Sequence, residues 1–173
     1  MTEPPKSPKP PAPLVSVAGP SNSGKTTLVS RLIALFAQKG KRVAAIKHAR
    51  HGFSMDRPGK DTFVHKAAGA YAVMAVSETG LALVRDISGE PSPRDLAALY
   101  FTDADLVLVE GYKAAAIPRI VVGRSPADFD AFWDDPNVFA LVGPAGPSAL
   151  PRFDPDSVSD IAGLITRRFL RER

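Results

Sequence analysis

Apolar residues gather along this chain in short blocks separated by glycine, proline and charge. Leu14-Val15-Ser16-Val17-Ala18 reads as a short buried strand, and Leu28, Leu32, Leu35 and Phe36 then recur at helical spacing before Gly40. The first predicted unit is therefore strand, glycine-rich loop, helix. Arg42 to Lys47 reads as the next strand, and His48 to Pro58 mixes histidine, glycine, charge and proline as functional loops do. A helix is expected from Asp61 to Gly69. Ala70 to Ser77 and Leu81 to Asp86, with Glu78-Thr79-Gly80 between them, predict an antiparallel hairpin appended to an otherwise parallel sheet. Ser92 and Pro93 mark a helix start running to about Phe101, the serine as N-cap and the proline in the first turn. Asp105-Leu106-Val107-Leu108-Val109-Glu110 is a strand covered on both faces and ending in a carboxylate. Arg119 to Val122 and Val138 to Val142 are further strands, with a helix around Ala127 to Trp133 between them. Val158, Ile161, Leu164, Ile165 and Phe169 form the stripe of a last helix. The alternation predicts an α/β fold: a doubly wound, mostly parallel sheet with an antiparallel hairpin and helices on both faces.

Residues 1–13 are rich in proline and lysine and lack apolar periodicity, so they read as a disordered tail preceding one nucleotide-binding domain, 14–173. With 173 residues, 45% of them hydrophobic, the chain is long enough for one substantial core. It has no cysteine, which excludes disulfides, zinc–thiolate sites and a cysteine nucleophile. No apolar run approaches the roughly 20 residues needed to cross a bilayer, and the N-terminus lacks a signal-peptide core, so a cytoplasmic location without membrane contact is expected. The formal charge of +4 is dispersed rather than blocked. It calls for no nucleic-acid partner, because a bound triphosphate is itself a polyanion.

Gly19-Pro20-Ser21-Asn22-Ser23-Gly24-Lys25-Thr26 matches Gly-x-x-x-x-Gly-Lys-Ser/Thr between a predicted strand and a predicted helix. Glycine lets such a loop wrap with its N–H groups inward, and the following helix N-terminus adds positive potential, so phosphate oxygens are the natural occupants. Nucleotide binding is assigned to Gly19, Ser21, Asn22, Ser23, Gly24, Lys25, Thr26 and Thr27. Lys25 would reach the β- and γ-phosphates, Thr26 would ligate Mg²⁺, and Thr27 would approach the α-phosphate. The fold expectation sharpens to a P-loop NTPase.

Glu110, at the end of a central strand, is the candidate to hold Mg²⁺ or orient attacking water. Asp105 at the other end of that strand reads as structural. Asp56, in the loop region after the second strand, is a second catalytic candidate beside the charged neighbours Lys60 and Asp61. His48, His51 and His65 lack dedicated metal-ligand spacing and suit contact with phosphate, substrate or partner better than zinc.

Taken together, the P-loop, Ile46-Lys47-His48-Ala49-Arg50-His51, Asp56-Arg57-Pro58-Gly59-Lys60-Asp61 with His65 and Ala68-Gly69-Ala70, and Leu106-Val107-Leu108-Val109-Glu110-Gly111-Tyr112-Lys113 resemble the molybdopterin-guanine dinucleotide biosynthesis protein B family, MobB. The resemblance runs from Leu14 to the last helix. It implies a GTP-binding protein with weak Mg²⁺-dependent GTPase activity, acting as accessory to a separate molybdenum cofactor guanylyltransferase (MobA), with molybdopterin as a further ligand and a homodimeric state. The residues themselves contain no Asn-Lys-x-Asp guanine-reading motif, and Val142-Gly143-Pro144-Ala145-Gly146 stands where the family often carries a polar or acidic residue. Two other P-loop functions fit part of the pattern. A small-molecule kinase would use Arg119 and Arg124 as lid arginines, and a metallochaperone GTPase would use the histidines. A non-catalytic adaptor shaped by GTP overlaps with the leading reading.

Overall fold

The computed structural model describes residues 11–49, 52–146 and 148–170. They fall into two units: residues up to His48 together with those from Ser92 onward, and Ala49–Pro91. The expected tail lies outside the described residues as far as residue 10.

The first unit is built on a six-stranded sheet. Its strands are β1 (Leu14–Ala18), β2 (Val43–Lys47), β5 (Leu106–Glu110), β6 (Arg119–Val122), β7 (Val138–Val142) and β8 (Arg152–Phe153), in the spatial order β2-β5-β1-β6-β7-β8. Every pairing is parallel. Strands β1 and β7 are buried at every position and β5 at all but Glu110, which explains why these segments read as unbroken apolar runs. Two layers cover them. On one face α1 (Lys25–Gln38) and α4 (Val158–Phe169) lay Leu32, Phe36, Ile161 and Ile165 against Val15, Val17, Leu106 and Leu108. On the other, α3 (Pro93–Tyr100) adds Ala97 to Val107 and Val109, while a 3₁₀ helix, Pro126–Phe132, packs Phe129 and Phe132 on Val121 and Leu141. Ser92 caps α3 as expected, its Oγ accepting from the Asp95 amide at 3.1 Å, with Pro93 at the first helical position.

The second unit contains α2 (Asp61–Ala67) and the antiparallel pair β3 (Ala72–Val76) and β4 (Leu81–Arg85), closed by the Ser77 amide donating to the Gly80 carbonyl at 2.8 Å. The expected hairpin is present, but it forms a two-stranded sheet of its own instead of joining the parallel one. The segment around Ala127 to Trp133 also differs from the expected helix, being 3₁₀. A Ser125–Asp128 capping box and Pro126 fix its start, and Pro136 follows too soon for further α turns. Strand β8 had no counterpart in the sequence reading.

Candidate functional site

The loop from Gly19 to Gly24 leaves β1 at the carboxyl edge of the sheet and enters α1. Two of its glycines are dictated by geometry. Gly19 has φ 143°, and a Cβ there would lie 2.1 Å from the Val122 carbonyl oxygen; Gly24, the residue before α1, has φ 102°. Asn22 takes the left-handed conformation at φ 59°, which asparagine tolerates better than most residues. The loop therefore curls tightly against β6. The Ser23 hydroxyl is buried and has no hydrogen-bond partner among the described residues. Lys25 folds its ammonium back onto the Pro20 carbonyl within the same loop. Burial pushes the Lys25 pKa below the ordinary lysine value; Glu110 opposes that shift, while Lys113 and Lys47 add to it.

Glu110 ends β5, which lies between β1 and β2 in the sheet. The Thr26 hydroxyl donates to its Oε1 at 2.9 Å, and the Lys47 ammonium stands 3.3 Å from the same oxygen. The Glu110 side chain is 12% exposed. Beyond it the chain is tied down: the Gly111 amide donates to the Val17 carbonyl at 3.1 Å, and the Ser16 hydroxyl to the Gly111 carbonyl at 3.0 Å. Tyr112, at φ 53°, stacks its ring on His48 with centroids 4.6 Å apart. Thus three adjacent strand ends fix one carboxylate over the first turn of α1.

Thr26 and Glu110 suit a hard divalent cation. Octahedral Mg²⁺ with ligands at about 2.1 Å places neighbouring oxygens roughly 3 Å apart, and the two side-chain oxygens are already separated by 2.9 Å. Among the described residues, which do not include His51, no group of three or more His, Cys, Asp or Glu side chains is placed to hold a metal.

The sequence-derived residues from Gly19 to Thr27 and Glu110 thus meet at one edge of the first unit. Asp56 belongs to the second unit, where its Oδ1 accepts from the Arg57 amide at 2.8 Å and it borders a cavity of about 280 Å³ with Phe53, Phe63 and Lys66. Lys60 and His65 lie in that unit too, and His51 is outside the described residues. Arg119, considered as a lid arginine, is instead a buried structural clamp. Its guanidinium donates to the Lys113 and Ala115 carbonyls at 2.6 Å each and meets Asp135 at 3.0 Å. Lys47 was missed as a site residue, because its pairing with Glu110 depends on β2 lying beside β5 in the sheet. Also missed was a cleft of about 430 Å³ beside the loop, bordered by Gly24, Thr27, Arg31, Arg124, Pro144 and Asp156. It runs from the start of α1 past the ends of β6 and β7.

Residues 14–144 match the family model described as molybdopterin guanine dinucleotide synthesis protein B. A molybdopterin-guanine dinucleotide biosynthesis adapter protein of Haemophilus influenzae is 39% identical over 114 residues, 65% of this chain and 64% of that protein. The chain thus spans just under two thirds of that relative's length. A probable adapter protein of the same description from Bacillus subtilis is 33% identical over 134 residues, 76% of each chain. The crystal structure of Bacillus subtilis MobB superposes with a TM-score of 0.77 at 27% identity, covering 93% of this chain and 99% of that one. The match begins with β1, contains both the loop and Glu110, and ends just past β7, so this chain belongs to the molybdopterin guanine dinucleotide synthesis protein B family.

Proposed function

We propose that this protein is a GTP-binding adapter in molybdenum cofactor guanine dinucleotide synthesis, with slow Mg²⁺-dependent GTPase activity, serving a separate guanylyltransferase of the MobA kind. One observation carries the nucleotide part: the Thr26 hydroxyl and the Glu110 carboxylate meet 2.9 Å apart at the first turn of a helix entered through a glycine-dictated loop. Such a helix start takes phosphate, and the unpartnered Ser23 hydroxyl faces the same need. In this reading the amides of Gly19 to Thr26 cradle the phosphates, and Lys25 exchanges the Pro20 carbonyl for phosphate oxygens. Thr26 and Glu110 would hold Mg²⁺, which when bound would supply positive charge to the transferred phosphoryl group. Glu110 also positions the attacking water. The cleft bordered by Thr27, Arg31, Arg124 and Asp156 takes the nucleoside.

The pathway assignment rests on the relatives, which are named as biosynthesis adapter proteins. Guanine preference, molybdopterin as second ligand, Asp56 as a further water-orienting group, homodimer formation and a cytoplasmic location belong to the same proposal. No helix among the described residues is long and apolar enough to cross a membrane. Slow turnover follows from the absence of an evident arginine finger, a group worth about 10³ to 10⁵ in rate.

The test uses purified wild type and Lys25→Ala. Calorimetry should find GTP·Mg²⁺ binding to the first only, and reconstituted guanine dinucleotide formation at limiting GTP should rise only with wild type. Equal GTP affinity in the variant defeats the P-loop assignment. If wild type binds GTP yet yields no more product than the variant, the accessory role fails.

A further inference from the structure

Lys47 and Glu110 are register partners in the parallel β2–β5 ladder. Their neighbours two residues earlier, Ala45 and Leu108, are paired likewise, and Leu108 packs on the α1 face. Both side chains therefore leave the sheet on the side where Thr26 begins α1. The two contacts of Glu110 Oε1 are then of different kinds: a hydroxyl at 2.9 Å, matching a metal co-ligand, and an ammonium at 3.3 Å, sharing with the metal the sign of its charge. The Lys47 side chain is 64% exposed, so its four-carbon stem is not packed in place. Nearby, Lys25 has the Pro20 carbonyl and Lys113 lies over the Phe132 ring, 5.3 Å from its centroid. Among the described residues, Lys47 is the cation paired with the carboxylate that a metal would claim.

We infer that Lys47 is a second cation for the terminal phosphate, beside Lys25: it pairs with Glu110 and would turn to the γ-phosphate where Mg²⁺ claims that carboxylate. The inference rests on the nucleotide reading above. Mg²⁺ and an ammonium cannot both sit on one carboxylate oxygen without repulsion, so metal entry displaces the more mobile of the two. Mg²⁺ held by Thr26 and Glu110 would neutralise charge on the terminal phosphates, and Lys47, 3.3 Å from Glu110, would stand within reach of the same group. An ammonium hydrogen-bonded to a phosphate oxygen is charge-assisted, and a nucleoside diphosphate lacks that oxygen. Lys47 is thereby a residue selecting triphosphate over diphosphate and supplies in cis part of the charge an arginine finger would bring.

The experiment measures GTP and GDP affinities by calorimetry at fixed Mg²⁺ for wild type, Lys47→Met and Lys47→Arg, each checked for native circular dichroism. Wild type should prefer GTP. Lys47→Met should lose about tenfold of that preference, and Lys47→Arg should keep most of it. The Mg²⁺ concentration for half-maximal GTP binding should fall in Lys47→Met, because Glu110 has lost its competing cation. An unchanged GTP/GDP ratio in Lys47→Met overturns the role of Lys47 while leaving nucleotide binding intact. Failure of wild type to bind either nucleotide overturns the nucleotide reading along with it.

Discussion

At Gly19 the backbone conformation and the space around it act together. A methyl group there meets the Val122 carbonyl at 2.1 Å in a φ region that L-residues rarely adopt, so Gly19→Ala should destabilise the fold by about 3 kcal/mol or more in urea titrations. Glu110→Gln keeps the size of the side chain but not its charge. It should retain GTP and lose about 10²-fold in turnover, measured as phosphate release; equal turnover would make Glu110 structural. Arg119 makes a different kind of contribution. It is 2% exposed, holds two carbonyls of the segment after β5 and pairs with Asp135, so Arg119→Met should cost about 3 kcal/mol in chemical denaturation. The sequence could not tell a lid arginine from a structural clamp, because burial of Arg119 depends on Lys113, Ala115 and Asp135 coming together around it. Lys47 escaped notice for a similar reason: its partner lies on a strand that is its neighbour in the sheet but distant in the chain.

Among the elements, the strands were the most legible. Each of β1, β5 and β7 is covered on both faces, so burial leaves a continuous apolar run in the residues themselves. The helices α1 and α4 were readable from spacing, and α3 from its Ser92-Pro93 start. The two-residue strand β8 was not legible, since Arg152 and Phe153 carry no pattern without β7 beside them. The helix at Pro126–Phe132 was legible but its 3₁₀ type was not, because Ala127, Phe129, Ala131 and Phe132 satisfy either helical period over so short a span. Its cap has a pH consequence. Amides of Arg124 and Ser125 donate to the Asp128 carboxylate and, chiefly for that reason, hold its pKa below the ordinary aspartate value. A lowered folded pKa means that the cap stabilises fully above the unfolded value, near 3.9, and that the contribution is lost as pH falls through the folded one. Asp128→Asn should therefore melt below wild type at neutral pH, and the gap in Tm should close in strongly acidic buffer.

On the scale of the whole molecule the two units differ in how much apolar surface they bury. Among the described residues of Ala49–Pro91, Val73 is the one buried hydrophobic side chain, while Phe53, Met55, Tyr71, Val76 and Leu81 are all more than 60% exposed. A lone two-stranded hairpin is marginal in water. Amide hydrogen exchange should accordingly be fast across β3 and β4 and slow in β1, β5 and β6; equal protection would show that a covering surface has been found, by a second copy or by a partner. The sheet order carries a further consequence, for synthesis of the chain. Strand β1 bonds to β5 and β6, and β2 bonds to β5, but β1 and β2 do not bond to each other. As the polypeptide leaves the ribosome, β1 and the Gly19–Gly24 loop emerge before β5 and β6, with no neighbouring strand to brace them. Until Leu106–Glu110 has been translated, β1 and β2 have no strand between them to pair with, and the nascent protein must spend that interval shielded by chaperones or exposed to aggregation.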